Sequence, residues 1–140
     1  MALIEARGLS KTFNGQPAVK ALDLDVEAGE IYGFLGPNGA GKTTTIKMLL
    51  GLTRPTQGGA TIGGKKVDLT HTEFRRQIGY LPERIAFYPN LTAAQTLSFF
   101  CELKRADKAQ IPTLLERVGL TEHAKKGVGT YSKGMRQLLG

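Results

Sequence analysis

The sequence contains no tryptophan, a single cysteine and two histidines among its 140 residues. Because Cys101 has no second cysteine to pair with, an internal disulfide is excluded, and its apolar helical neighbourhood predicts a small buried side chain. The sequence also lacks an apolar run long enough to span a bilayer, and its first residues do not have the layout of a signal peptide. These absences predict a protein that is made and kept in the cytoplasm.

Positive charge exceeds negative charge, and the formal net charge is +7. The basic residues are scattered as the pairs Lys65-Lys66, Arg75-Arg76, Lys104-Arg105 and Lys125-Lys126, without a long basic block. A solvated surface together with a phosphate site explains this pattern better than a nucleic-acid face does. We therefore predict no nucleic-acid partner, although a basic surface also suits a protein that lies near an anionic membrane.

Residues 36–44 match the phosphate-loop pattern G-x-x-x-x-G-K-[ST] through Gly36, Gly41, Lys42 and Thr43. Glycines let the backbone wrap around a phosphate chain and direct its N–H groups inward. In this pattern the lysine reaches the β- and γ-phosphates, and the threonine hydroxyl ligates Mg²⁺. The predicted nucleotide-binding residues are Gly36, Pro37, Asn38, Gly39, Ala40, Gly41, Lys42, Thr43 and Thr44.

The residues on either side of this loop favour a nucleotide site over a glycine-rich turn with a chance lysine. Residues 31–35 form a short apolar run typical of a buried parallel strand. The loop is followed by a predicted helix that carries Ile46, Leu49 and Leu50 at helical spacing. Strand, loop and helix are the context that this motif requires.

Residues 1–84 and 85–140 differ in character, and we predict a nucleotide-binding core with a β subdomain followed by a helical subdomain. In the first part, the pattern predicts strands at 2–7, 18–27 and 78–81, a hairpin over 60–67 that turns at Gly63-Gly64, and a helical turn at 72–77. In the second part, Thr92 and Gln95 predict a capping box for a helix that runs to Lys104. Its predicted buried residues are Leu97, Phe100, Cys101 and Leu103, and another helix is predicted over 110–118.

A second motif, Tyr131-Ser-Lys-Gly-Met135, precedes an apparent helix. Taken alone, it is better explained by a helix cap than by an anion site. Beside the phosphate loop, however, the whole chain resembles the ATP-binding cassette of ABC transporters, whose signature motif is usually Leu-Ser-Gly-Gly-Gln. The Tyr-Ser-Lys-Gly-Met form is similar to a variant found among ABC-2-type exporters. The resemblance implies an α/β P-loop NTPase fold with an antiparallel β subdomain and a helical subdomain, ending before the Walker B strand.

The same resemblance implies roles for residues outside the phosphate loop. Phe13 would stack on adenine and Val19 would touch the base, although Phe13 also suits a core position. Glu83 stands where the family usually has a glutamine that helps to ligate Mg²⁺. The resemblance therefore implies Lys42 and Glu83 as catalytic residues and Thr43 and Glu83 as metal ligands, while a surface glutamate in a loop is the plain alternative for Glu83.

The resemblance also implies partners. Two cassettes of the family, identical or different, pair head to tail, so Ser132 and Gly134 would contact the ATP that is held by the second cassette. Ile85, Phe87 and Tyr88 would receive a coupling helix from a transmembrane permease subunit, or else simply cover the core. The protein would then be cytoplasmic and peripheral on the inner face of the cell membrane.

The expected function is that of the ATP-binding subunit of an ABC transporter. In the family, the Walker B aspartate, the catalytic glutamate and the switch histidine follow the signature, so we expect this 140-residue piece to bind ATP weakly and not to hydrolyse it. A non-hydrolysing nucleotide-binding module and a soluble cassette ATPase that acts on nucleic acid or ribosomes are the alternatives. Residues 78–88 resemble the copper-linked ATPase of nitrous oxide reductase maturation, and also multidrug and sodium exporters.

Overall fold

The computed structural model describes residues 2–70 and 72–140, which form two compact units, Met1–Gly79 and Tyr80–Gly140. This division lies five residues before the predicted boundary at 84/85. The predicted boundary at 84/85 separates a nucleotide-binding core from a helical subdomain, and it stays a prediction. Within the two described ranges, no helix is both long enough and apolar enough to cross a membrane.

The first unit contains a four-stranded antiparallel sheet in the order β2-β1-β3-β4. Its strands are β1 (Ile4–Phe13), β2 (Gln16–Val26), β3 (Gln57–Ile62) and β4 (Lys65–Lys66). In the registers, Ile4 lies opposite both Val26 of β2 and Ile62 of β3. The predicted strands at 2–7 and 18–27 are confirmed, with β1 longer than expected, and the predicted hairpin turn at Gly63-Gly64 joins β3 to β4.

Helix α1 (Lys42–Leu49) packs against this sheet and completes its core. The buried residues of α1 are Thr45, Met48 and Leu49, whereas Ile46, which the helical pattern included, is exposed. The core of the unit consists of Ala6, Leu9, Val19, Leu24, Val26, Met48, Leu49 and Ala60. Because both strands and helix contribute, the start of α1 is fixed relative to β2.

Arg75 holds the other end of α1. It lies in the predicted helical turn, a 3₁₀ turn at Glu73–Gln77. Its Nε donates to the Leu50 carbonyl at 2.9 Å and its guanidinium donates to the Gly51 carbonyl at 2.6 Å. A cation that satisfies the last carbonyls of a helix is favoured by the helix dipole. The segment after β4 is thereby tied to the C-terminal end of α1.

The two predicted buried parallel strands are wrong. Residues 31–35 and 78–81 have no regular secondary structure, and Ile31 and Leu35 are 99% and 94% exposed. A parallel strand needs hydrogen-bonded neighbours. Among the described residues, neither segment pairs with a strand. An apolar run alone therefore does not make a strand in the described residues.

The second unit is helical, with α2 (Ala93–Lys104), α3 (Ile111–Arg117) and α4 (Lys133–Leu139). The predicted capping box is confirmed: Gln95 N–H donates to Thr92 Oγ1 at 3.2 Å, and Thr92 N–H donates to Gln95 Oε1 at 2.9 Å. The predicted end of α2 and the buried Cys101 are also confirmed.

The predicted buried face of α2 is partly wrong. Leu103 and Phe100 are exposed, while Ala93 and Thr96 are buried, because the core of this unit meets α2 nearer its N-terminal end. That core consists of Ala93, Cys101, Ile111, Leu115, Leu120, Val128, Tyr131 and Leu139. Because Tyr131 belongs to this core, the predicted signature segment begins inside the unit.

Candidate nucleotide-binding site

The phosphate loop ends where α1 begins, and Gly41 is the residue at this junction. Gly41 has a φ of +88°, and a Cβ placed on it would lie 2.4 Å from the Ala18 carbonyl oxygen and 2.9 Å from Val19 Cγ2. Real side-chain carbons do not approach a backbone oxygen so closely. Only glycine therefore allows strand β2 to pack directly against the end of the loop.

Lys42 folds back across the loop instead of extending into solvent. Its Nζ donates to the carbonyls of Gly36 at 2.5 Å and of Pro37 at 2.8 Å. A turn in which Ala40 N–H donates to the Pro37 carbonyl at 3.2 Å closes the loop beneath it. The positive charge of the motif is therefore held at the mouth of the loop, where a phosphate oxygen can replace a carbonyl as its acceptor.

The donors at this junction fit a phosphate chain. The first N–H groups of a helix have no intrahelical acceptor, and no side chain within the described residues caps the N-terminus of α1. They add to the positive end of the helix dipole, which favours an anion. Thr43 lies in this first turn with its side chain exposed, as a Mg²⁺ ligand requires.

Phe13 and Val19, the two predicted base contacts, have different surroundings. Phe13 ends β1 and is 48% exposed, which excludes the alternative of a core position. Val19 on β2 is only 9% exposed and belongs to the core. Its methyl group next to Gly41 shows that it supports the loop, while contact of either residue with a base stays a prediction.

Glu83, the other predicted catalytic residue and metal ligand, is exposed in an irregular segment of the second unit. The strand predicted at 78–81, just before Glu83, is absent. In the part of the chain that the structure describes, no group of three acidic, histidine or cysteine residues forms a metal site. Ligation of Mg²⁺ by Thr43 and Glu83 together stays a prediction.

The predicted signature segment is held in place by Tyr131, a residue that the sequence reasoning passed over. Tyr131 is 3% exposed, and its hydroxyl donates to the His123 carbonyl at 2.6 Å. The Arg136 guanidinium donates to the Tyr131 carbonyl. Burial raises the pKa of the Tyr131 phenol, so it stays a neutral hydrogen-bond donor at physiological pH.

Ser132 has the structural role that the isolated motif suggested. It is the N-cap of α4, and its Oγ accepts a hydrogen bond from Met135 N–H at 3.1 Å. Gly134 lies exposed in the first turn of the same helix. The cap turns the serine and glycine of the motif toward solvent, and their contact with a second cassette stays a prediction.

Phe87 and Tyr88 are tied to α2 by a continuous series of edge-to-face ring contacts. Phe87 lies 6.3 Å from Phe100, Phe99 lies 5.5 Å from Phe100, and Tyr88 lies 5.7 Å from Phe99, measured between ring centroids. Such contacts hold aromatic rings in fixed orientations. Phe87 is half-buried and Tyr88 is exposed, so the loop both covers the helix and presents an aromatic ring to solvent.

Comparisons with known proteins agree with this geometry. The family model described as ABC transporter matches residues 19–140. The chain is 44% identical over 139 residues to the uncharacterized ABC transporter ATP-binding protein YcbN of Bacillus subtilis (strain 168), covering 99% of this chain and 45% of that protein. It is 45% identical, with the same coverage, to the bacitracin transport ATP-binding protein BcrA of Bacillus licheniformis.

A solved structure is similar as well. The chain superimposes on one titled "Structure of ATP binding subunit of ABC transporter" with a TM-score of 0.86 and 32% identity, covering 98% of this chain and 59% of that one. The chain thus spans about 45% of the length of the curated relatives it matches.

Alanine at Gly41 tests whether the close approach to β2 builds the loop. Gly41→Ala is expected to lower the free energy of unfolding by about 2–4 kcal/mol, because it adds a backbone clash to the strain of a left-handed conformation. Gly39→Ala is the matched control, since Gly39 has a similar φ of +86° but open space around its Cβ position. It should lose only about 1–2 kcal/mol. Equal losses in urea denaturation would show that the contact with Ala18 is not the constraint.

Proposed function

The chain belongs to the ABC transporter family, and from that membership we propose that it forms the ATP-binding part of a transporter's ATPase subunit. The observation that carries the proposal is the Lys42 ammonium, which lies across the mouth of the phosphate loop on the carbonyls of Gly36 and Pro37. In the complete protein, binding and hydrolysis of ATP would drive transport by membrane subunits.

The loop residues and three residues outside the loop have distinct roles in nucleotide binding. The backbone of residues 36–44 surrounds the phosphates, and Lys42 donates to oxygens of the β- and γ-phosphates. Thr43 and Glu83 hold Mg²⁺, which neutralises phosphate charge when bound. Phe13 stacks on adenine and Val19 touches the base. These residues bind and orient the nucleotide, while phosphoryl transfer also needs a group that positions water.

Lys42→Ala in the full-length protein tests the nucleotide site. It removes two charge-assisted hydrogen bonds to phosphate, so ATP affinity should fall at least about tenfold, measured by isothermal titration calorimetry. Lys47→Ala is the matched control, because Lys47 is an exposed lysine in the last turn of the same helix. Unchanged ATP affinity in Lys42→Ala would refute the proposal, and an equal effect of Lys47→Ala would indicate a nonspecific charge effect.

The signature segment is proposed to act on the ATP of a second cassette. The exposed side of the Ser132 cap and of Gly134 supports this arrangement, because the α4 N-terminus then presents a hydroxyl and N–H groups to an anion. The partner cassette is either a second copy of this one or a different cassette of the family. ATP binding closes the pair and hydrolysis opens it.

Ser132→Arg separates this role from helix capping. We expect it to leave ATP binding by the monomer within about twofold and to abolish ATP-dependent dimerisation, measured by light scattering, because arginine adds bulk at the interface. Ser132→Ala is the control, since it removes the same cap at a cost of about 1 kcal/mol without adding bulk. Equal loss of ATP binding and dimerisation in Ser132→Arg, or the same dimerisation defect in both variants, would contradict the assignment.

The loop that carries Ile85, Phe87 and Tyr88 is proposed to receive a coupling helix from a transmembrane permease subunit. Ile85, Phe87 and Tyr88 offer an apolar face that the ring contacts with α2 keep rigid, and a rigid aromatic face suits helix docking. This contact would place the protein in the cytoplasm, on the inner face of the cell membrane.

Phe87→Ala with Tyr88→Ala tests the docking surface. The double variant should lose co-purification with the membrane subunit while keeping ATP affinity, because the substitutions remove apolar contact area only from the loop that carries Phe87 and Tyr88. Leu103→Ala is the matched control, since Leu103 is an exposed apolar residue on α2 outside the aromatic series. Undiminished co-purification of the double variant would exclude this docking surface.

The transported substrate is selected by the membrane subunit. We propose that the transporter belongs to the ABC-2-type export branch, and two candidate substrates have support. The resemblance of residues 78–88 supports copper-linked transport in nitrous oxide reductase maturation, while the 45% identity to a bacitracin transport protein supports transport of an antibiotic. The identity of the neighbouring membrane-subunit gene decides between them, and the absence of any such gene would favour a soluble cassette ATPase.

A further inference from the structure

Lys11 lies against the ring that is proposed to stack on adenine. Both residues belong to β1 and are two positions apart, so they share one face of the strand. The Lys11 Nζ lies 4.9 Å from the centroid of the Phe13 ring, within the range of a cation–π interaction. One face of Phe13 is therefore covered by an ammonium group, and the exposed remainder of the ring is left for a ligand.

The ammonium is itself fixed by the main chain that follows α1. Lys11 Nζ donates to the Arg54 carbonyl at 2.7 Å. The surrounding backbone is fixed as well, since Thr12 N–H donates to Thr56 Oγ1 at 3.1 Å and Thr56 N–H donates to the Ser10 carbonyl at 2.8 Å. The Lys11 ammonium thus joins the Phe13 ring to the segment that leaves the phosphate-loop helix.

We propose that Lys11 is a positioning residue for base recognition, which fixes the Phe13 ring so that a purine stacks on its uncovered face. The proposal rests on the proposed function, because it concerns the base of the same nucleotide. A ring fixed before binding loses little rotational freedom when the base stacks, so the gain appears as affinity. Lys11 contributes to the base-dependent part of binding and leaves the phosphate-dependent part to Lys42.

The test compares two ligands, ATP and inorganic tripolyphosphate, on the full-length protein by calorimetry. Lys11→Met keeps the length of the side chain but removes the charge and the donor. It should weaken ATP binding about two- to fivefold, as expected for loss of one exposed cation–π contact. Tripolyphosphate affinity should stay within about twofold. Lys11→Arg keeps both the cation and the donor, so this variant should bind ATP as tightly as the unaltered protein does.

A double-mutant cycle with Phe13→Ala shows whether Lys11 acts through the ring. In the Phe13→Ala background, Lys11→Met should have no further effect on ATP affinity.

An equal loss of affinity for ATP and tripolyphosphate in Lys11→Met would overturn the proposal in favour of a phosphate contact or a folding defect. Unchanged ATP affinity in Lys11→Met would also overturn it. If Lys42→Ala still lowers ATP affinity at least about tenfold in that case, the nucleotide site stands and only the role of Lys11 fails.

Discussion

The approach of strand β2 to the end of the phosphate loop is the contact on which the candidate site depends. The Ala18 carbonyl occupies the space that any side chain at Gly41 would need. Because the two backbones meet there, Val19 can be buried in the core and still contact the loop. The antiparallel sheet thereby determines where α1 and its N–H groups begin.

Helix α1 is consequently held at both ends and along one side. Gly41 fixes its start, Met48 and Leu49 bury its side in the core, and Arg75 binds the carbonyls beyond its end. A helix fixed in this way can present its N-terminus to an anion without reorganisation, which is the condition for strong electrostatic binding. Arg75 also ties the end of α1 to the 3₁₀ turn at Glu73–Gln77 of the same unit.

Features set by a few neighbouring residues could be predicted from the sequence. The capping box of Thr92 and Gln95, the hairpin turn at Gly63-Gly64 and the burial of Cys101 follow from local side-chain chemistry, and all are present. The strands at 31–35 and 78–81 failed because strand formation depends on partners elsewhere in a sheet, which a local pattern does not contain.

The candidate site likewise has features that neighbouring residues predict and contacts that join residues far apart in the sequence. The glycines and lysine of the loop could be recognised from their spacing, since the motif is contiguous. The link from Arg75 to Gly51 and that from Tyr131 to the His123 carbonyl join residues whose pairing no periodicity indicates. The position of Lys11 beside Phe13 could be predicted, because residues i and i+2 of a strand share a face. Its importance for a ligand follows only from the exposure of the Phe13 ring, which the sequence pattern does not show.

A titration of the ¹⁵N-labelled full-length protein with Mg²⁺–ATP, followed by the backbone amide resonances of residues 36–44, tests the central claim most directly. The account predicts that the amides of Gly39, Gly41 and Lys42 shift in a saturable manner, and that tripolyphosphate shifts the same resonances. Saturable shifts that leave these amides unchanged and appear elsewhere, or no shifts at all, would contradict the assignment of the nucleotide site to this loop.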